Sequence, residues 1–230
     1  MAQHGSSHYE GASGAAYYRG QERNAEIRAA VFGDAIARHV EPEMSVVEFG
    51  CAAGRVLQRA QAGEKVGVEI NPHSRQAAQE RGLNAVERLA ELQDESADLI
   101  YSIHVLEHTL SPLDELREMW RVLRPGGTLL LILPVDDWRV QRKWTLPDDD
   151  HHLYTWTPQL IANLLSEAGF HPRQAVIVHR AFPGRFVASG WRLLPRPMFY
   201  ALQRVFPYIL RRRDLEAIGL KVRAHAVRAS

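Results

Sequence analysis

The residues best able to do chemistry sit in one short turn, Val46-Val47-Glu48-Phe49-Gly50-Cys51-Ala52-Ala53-Gly54. A strand that ends in a glycine-bearing turn before a helix brings backbone N–H groups against a ligand, because glycine has no Cβ to block the approach. Nineteen residues past Gly50 stands Glu69, at the end of the next apolar run. A carboxylate there can accept hydrogen bonds from both hydroxyls of a ribose. Turn and carboxylate together describe a site for an adenosine-containing cofactor. A dinucleotide would call for G-x-G-x-x-G, but those positions hold Gly50, Ala52 and Arg55, so a pyrophosphate fits poorly.

Two histidines, His104 and His152, are the candidate general bases, since imidazole titrates near neutrality. The string His104-Val105-Leu106-Glu107-His108 also matches the H-x-x-E-H zinc signature. That signature needs a helix to put both histidines on one face, whereas His104 directly follows a strand, so no metal ligand is expected. The run Asp148-Asp149-Asp150-His151-His152 reads as a solvated acidic loop rather than a cation site. Cys51, the sole cysteine, stands at a helix start, where a thiol can be reactive, but is read as packing without metal, and Tyr17 and Tyr18 as exposed side chains of a flexible arm.

The elements that must position these groups alternate. Ser45 to Gly50, Lys65 to Ile70, Asn84 to Glu87, Ala97 to Ile103 and Thr128 to Pro134 have buried-strand character. Helical patterning fills the gaps at Arg55 to Ala62, His73 to Arg81 and Pro112 to Leu123, the last with Leu113, Leu116, Met119, Trp120 and Leu123 at helical spacing. Pro125-Gly126-Gly127 stops that helix and turns the chain. Thr157 and Pro158 start a further helix that Gly169 ends. Gln174 to His179 is the next strand, and a last one is expected at Gly219 to Val227, where Leu220, Val222, Ala224 and Ala226 alternate with polar residues. Such alternation means βαβ units and a parallel sheet.

The chain of 230 residues is 46% hydrophobic and 24% charged, an ordinary globular composition that excludes a disordered tail protein. One cysteine allows no intrachain disulfide, and the N-terminus lacks the apolar core of a signal peptide, so a cytoplasmic protein is expected. Net charge is +1, but residues 1–170 hold 16 Lys+Arg against 25 Asp+Glu, while residues 171–230 hold 12 against 2. A basic end can attract an anionic surface or dock on the acidic body of its own domain. We divide the chain into an N-terminal arm and helix (1–40), a cofactor-binding core (41–180), an apolar and basic cap insertion (181–216), and the last strand with the C-terminus (217–230). The insertion suits a lid, a dimer face or a membrane-surface helix, with peripheral membrane contact through 189–213.

Glu48-Phe49-Gly50-Cys51-Ala52-Ala53-Gly54 resembles the E/D-x-G-x-G-x-G signature of class I S-adenosylmethionine-dependent methyltransferases, with Ala52 in place of the middle glycine. Asp98 through His108 resembles that family's fourth strand and its Val-Leu-Glu-His continuation. Arg121 through Gly127 is similar to the turn before strand five, and His152 through Phe170 to the final helix ending in Ala-Gly-Phe. The resemblance, over roughly residues 40 to 180, implies an α/β fold: a Rossmann-like, doubly wound, seven-stranded, mostly parallel sheet whose last strand is antiparallel. It also implies S-adenosyl-L-methionine as cofactor and a binding set of Glu48, Gly50, Cys51, Gly54, Glu69, Ile70, Leu89, Ser102 and Ile103. In that set Glu48 orients the loop and the amino group, Gly50 and Gly54 let the backbone approach the methionyl part, and Glu69 takes the ribose. Ile70 lines the adenine, and the contact to its amino group falls on Leu89, where relatives carry an Asp-Ala-like pair. Ser102, Ile103 and His104 would face the sulfonium and the incoming nucleophile.

Methyl transfer is an in-line displacement that needs collinearity and dryness more than a covalent nucleophile. The expected function is therefore methyl transfer to a small molecule, at oxygen, with His104 or His152 as base. The second class is a non-catalytic binding or regulatory protein on the same fold. Nucleic acid is disfavoured as acceptor, because the body is acidic and Ser102-Ile103-His104-Val105 stands where amino-methylating nucleic-acid enzymes carry Asn-Pro-Pro-aromatic. The oligomeric state is left open.

Overall fold

The computed structural model describes residue 9 and residues 11–22, 25–135, 143, 151–179, 194–195, 197–198, 201 and 213–222. Seven strands, β1 (Ser45–Phe49), β2 (Glu64–Val68), β3 (Asn84–Val86), β4 (Ala97–Ile103), β5 (Leu123–Pro134), β6 (His171–His179) and β7 (Arg213–Leu220), form one sheet in the order β3-β2-β1-β4-β5-β7-β6. β2 and β4 flank β1 in parallel, β5 follows β4 in parallel, and β7 runs antiparallel to both β5 and β6. The order reverses between β1 and β4, which opens a crevice beyond their carboxyl ends.

Strand alternation sends side chains to two cores. Val47, Phe49, Ile100, Leu129 and Leu131 pack with Leu116, Met119, Val122, Ile161 and Leu165 from helices α5 (Pro112–Val122) and α6 (Pro158–Glu167). Val46, Leu99, Tyr101, Leu130 and Ile132 pack on the other face with Phe32 and Ile36 of α2 (Ala25–Ala37) and Leu57 of α3 (Arg55–Arg59). The sheet is therefore covered on both faces, as expected. Thr157 caps α6 by accepting from the Leu160 N–H at 3.1 Å, with Pro158 at the first helical position.

Two expectations need correction. The last strand lies at Arg213–Leu220, not Gly219 to Val227. It is an interior strand, so Leu215 and Ala217 are fully buried on one face, while Asp214 and Glu216 point to the other and find polar partners. Those two acids hid its apolar alternation. The second correction concerns the N-terminus. Helix α1 (Gly11–Glu22) docks on the body: Asn71, which caps α4 (Pro72–Glu80), donates from Nδ2 to the Gly14 carbonyl at 2.9 Å. Arg55 of α3 pairs with Glu22 at 2.7 Å and with Glu26.

Most of the expected insertion 181–216, including most of the membrane-contact segment 189–213, lies outside the described residues, as do Asp148 to Asp150. Among the described residues no helix is long and apolar enough to cross a membrane.

Candidate active site

The crevice beyond β1 and β4 is a cavity whose wall includes Gly50, Ala52, Glu69, Ile70, Leu89, Ile103, His104 and His108. The turn after β1 is built tightly. Gly50 and Cys51 both donate to the Val68 carbonyl, at 2.8 and 3.1 Å, which locks the turn to the end of β2. Gly50 has φ +75, and a Cβ there would come within 2.2 Å of Val105 Cγ2. Gly54 has φ +74 and its missing Cβ leaves room for Leu83, so this glycine serves packing and neither bounds the cavity nor opens it. Ala52 holds φ +47, a left-handed conformation costly for an L-residue.

What holds Ala52 there is Glu69. Its Oε2 accepts from the Ala52 N–H and its Oε1 from the Asn71 N–H, each at 2.8 Å. Burial raises the Glu69 pKa above the ordinary value, opposed by these two N–H groups and by Arg75. Fixed by backbone on both oxygens, the carboxylate still has lone pairs for two ribose hydroxyls. Beside it Ile70 and the buried Leu89 give the cavity an apolar wall suited to a purine.

Glu48 and Cys51 line a smaller neighbouring cavity that shares Arg28, Gly50, Ala52 and Ile103 with the first. Glu48 is buried in β1 and accepts from the Tyr101 hydroxyl at 3.1 Å. Burial pushes its pKa up to about 8, with Tyr101 and Arg28 pulling the other way. Cys51 packs over Gly67, where a Cβ would lie 2.4 Å from its Sγ, and burial pushes the thiol well up, so it is an inert filler. Ser102 is wholly buried within β4 opposite Phe49 and bounds neither cavity. Alternation puts it on the face of Ile100, toward the core under α5 and α6, while its neighbour Ile103 lies on the other face and lines both cavities.

The two candidate bases differ. His104, at φ +52, lies in the cavity wall with Nε2 3.2 Å from Asp214 Oδ1 and its ring edge-on to Phe32. Burial lowers its pKa below the usual imidazole value, and the Asp214 carboxylate opposes this. His152 does not bound the cavity; its ring meets His108 at a centroid distance of 5.0 Å, and His108 reaches the wall. Burial brings the His108 pKa down to about 4.

Asp214 and Tyr9 were not foreseen from the sequence, and His108 was weighed there only as part of a zinc signature, not as a residue of the cavity wall. Asp214 was unreadable as a partner because its strand was placed too late in the chain. Tyr9 is buried, donates to or accepts from His108 Nδ1 at 2.7 Å, and meets Tyr17 edge-on at 4.8 Å. Both tyrosines line the cavity, so the exposed reading of Tyr17 is corrected; Tyr18 is half-buried and lines the smaller cavity. The signal was there as aromatic residues in an otherwise small and polar arm.

Residues 20–175 match the family described as Methyltransferase domain. A tRNA U34 carboxymethyltransferase from Pseudoalteromonas translucida is 31% identical in a 128-residue alignment that takes in 49% of this chain and 39% of that protein, so the chain spans well under half of that relative. Among solved structures, a chain of the complex between the Haloferax volcanii Trm112 methyltransferase activator and a methyltransferase superposes with a TM-score of 0.63 at 20% identity, covering 91% of this chain and 96% of that one. A SAM-dependent methyltransferase from Thermotoga maritima superposes with a TM-score of 0.61 at 20% identity, covering 90% and 95%. These two likenesses bear on the fold.

Proposed function

This chain belongs to the methyltransferase-domain family, and on that premise we propose that it transfers a methyl group from S-adenosyl-L-methionine to an oxygen of a small-molecule acceptor in the cytoplasm. The observation that carries the reading is one cavity in which the Gly50–Ala52 turn and Glu69 lie with His104. When bound, S-adenosylmethionine supplies an electrophilic methyl group whose leaving group is the neutral thioether of S-adenosylhomocysteine.

The residues fit that cofactor. Glu69 would hold the ribose, Ile70 and Leu89 would flank the adenine, and the Gly50–Ala52 backbone and Glu48 would bound the space for the methionyl part. Tyr9 and Tyr17, carried on and before α1, exclude water from one side, which strengthens every electrostatic contact within. His104 takes the acceptor's proton. With Nε2 directed to Asp214 Oδ1, Nδ1 is the ring's basic atom, and Asp214 steadies both the tautomer and the imidazolium that forms.

The tRNA-modifying relative favours a second reading, in which the acceptor is RNA. Label from methyl-tritiated S-adenosylmethionine, incubated with the protein and with either total tRNA or a small-molecule extract, separates the two. Label in the extract alone supports the proposal, and label in tRNA alone replaces its acceptor with RNA.

A further inference from the structure

We propose that Glu107, His108 and His152 form a binding site for one divalent transition-metal ion of the zinc class, set against the cavity wall. One donor atom from each residue lies within 4.8 Å of the others, and among the described residues this is the one cluster of three such groups. Glu107 is fully buried and both histidines are half-buried, unlike a solvated acidic patch.

The fold builds the cluster from two distant segments. Glu107 and His108 lie in a 3-10 turn at Leu106–His108 that follows β4. His152 comes from the segment before α6, and that segment is fastened at the site itself: the Leu153 N–H donates to the Glu107 carbonyl at 2.9 Å, and the Tyr154 hydroxyl donates to the Leu110 carbonyl at 3.1 Å. The segment that carries His152 is thus tied to the turn by one backbone bond and one tyrosine hydroxyl.

The ring orientation is that of a metal ligand. His108 Nδ1 faces the Tyr9 hydroxyl at 2.7 Å and the His151 carbonyl at 3.3 Å, which turns Nε2 toward Glu107. Ligating histidines characteristically engage the second ring nitrogen in this way. His108 Nε2 and Glu107 Oε1 are 3.6 Å apart, long for a hydrogen bond. Two ligands about 2.0 Å from a tetrahedral ion stand roughly 3.3 Å from each other, so the Glu107–His108 pair is already near ligating separation, and His152, whose donor lies within 4.8 Å of both, closes on the ion by up to about 1.5 Å when it binds. Two imidazoles and a carboxylate suit zinc and its neighbours better than magnesium or calcium, which take oxygen donors.

The H-x-x-E-H string is therefore used differently from its zinc-signature reading. His104 is turned away to Asp214, and His152, 44 residues beyond His108, supplies the third ligand. Because His108 reaches the cavity wall, a position left open on the ion can face the acceptor space; that role rests on the methyl-transfer reading, whereas metal binding does not.

The test is calorimetric titration of the untagged, chelator-treated 230-residue chain with zinc chloride and, separately, magnesium chloride. Expected is one zinc per chain, at least tenfold weaker in His108→Ala and in His152→Ala, unchanged in His104→Ala, and no comparable magnesium binding. Circular dichroism confirms that each variant is folded, and Glu107→Gln, which keeps the side-chain shape, serves if an alanine variant is not. No zinc binding, magnesium in preference to zinc, zinc held equally by these ligand variants, or zinc lost with His104 would overturn the proposal. S-adenosylhomocysteine binding, measured on the same samples, reports on the cofactor reading separately.

Discussion

Glu69 Oε2 accepts a hydrogen bond from the backbone N–H of Ala52 at 2.8 Å, joining the carboxylate at the end of β2 to the turn that follows β1. The bond explains how a turn with alanine in place of a middle glycine keeps a glycine-like path. Ala52 stays at φ +47 because its N–H is claimed there.

Relieving that conformation should help the fold. Ala52→Gly removes a left-handed alanine at the cost of some unfolded-state entropy, so a gain of up to about 1 kcal/mol is expected. Urea denaturation measures it. A loss of stability would show that the alanine methyl contributes packing that outweighs the strain.

Gly50 tolerates no side chain. Gly50→Ala combines φ +75 with a 2.2 Å approach to Val105 Cγ2 and should cost about 2–4 kcal/mol. Val105→Ala in the same chain removes the two γ-methyl clashes and should recover most of the steric part, with a residual 3.0 Å approach to Val105 Cβ and the conformational part remaining, a coupling of about 1–2 kcal/mol in a double-mutant cycle. Strict additivity would place the clash elsewhere.

Much of this was legible in the sequence. β4 falls at Ala97–Ile103 as the pattern predicts, Thr157 caps its helix, and Glu69 stands at the end of β2 beside the turn. What was not legible depends on pairing across distance. β7 carries Asp214 and Glu216 inside the sheet, and only its register against β5 and β6 makes those acids compatible with an interior strand. His104 and Asp214 are 110 residues apart and meet because β7 returns beside β5. Tyr9 and Tyr17 enter the site because α1 docks through Asn71 and Gly14, a contact made by an amide and a backbone carbonyl that no hydrophobic period reveals. Ser102 and Ile103 are adjacent in sequence, yet strand alternation buries one and gives the other to the cavity.

Stability should carry the signature of Glu48. Its folded pKa of about 8 exceeds the ordinary 4.5, so between those values the folded chain keeps a proton that the unfolded chain has lost. Stability is then fully present below about pH 4.5 and declines as pH rises toward 8, by at most ~1.4 kcal/mol per unit from this group. Glu48→Gln should flatten that part of the curve in denaturation series across the window. An unchanged slope would mean that Glu48 is ionised in the folded chain.

Asp214 should tune His104. Burial lowers the His104 pKa while Asp214 raises it, so Asp214→Asn should lower it further and move the acidic limb of the kcat/KM profile to lower pH. A fall of about 10- to 100-fold in kcat is expected as the imidazolium loses its carboxylate. A limb that stays in place would remove His104 from the role of base.

If Glu69 and the Gly50–Ala52 turn hold an adenosine-type cofactor, calorimetric titration with S-adenosylhomocysteine should find one site per chain in the wild type and a loss of at least 100-fold in affinity in Glu69→Ala, about 2.7 kcal/mol. No binding by the wild type, or equal binding by Glu69→Ala, would contradict it.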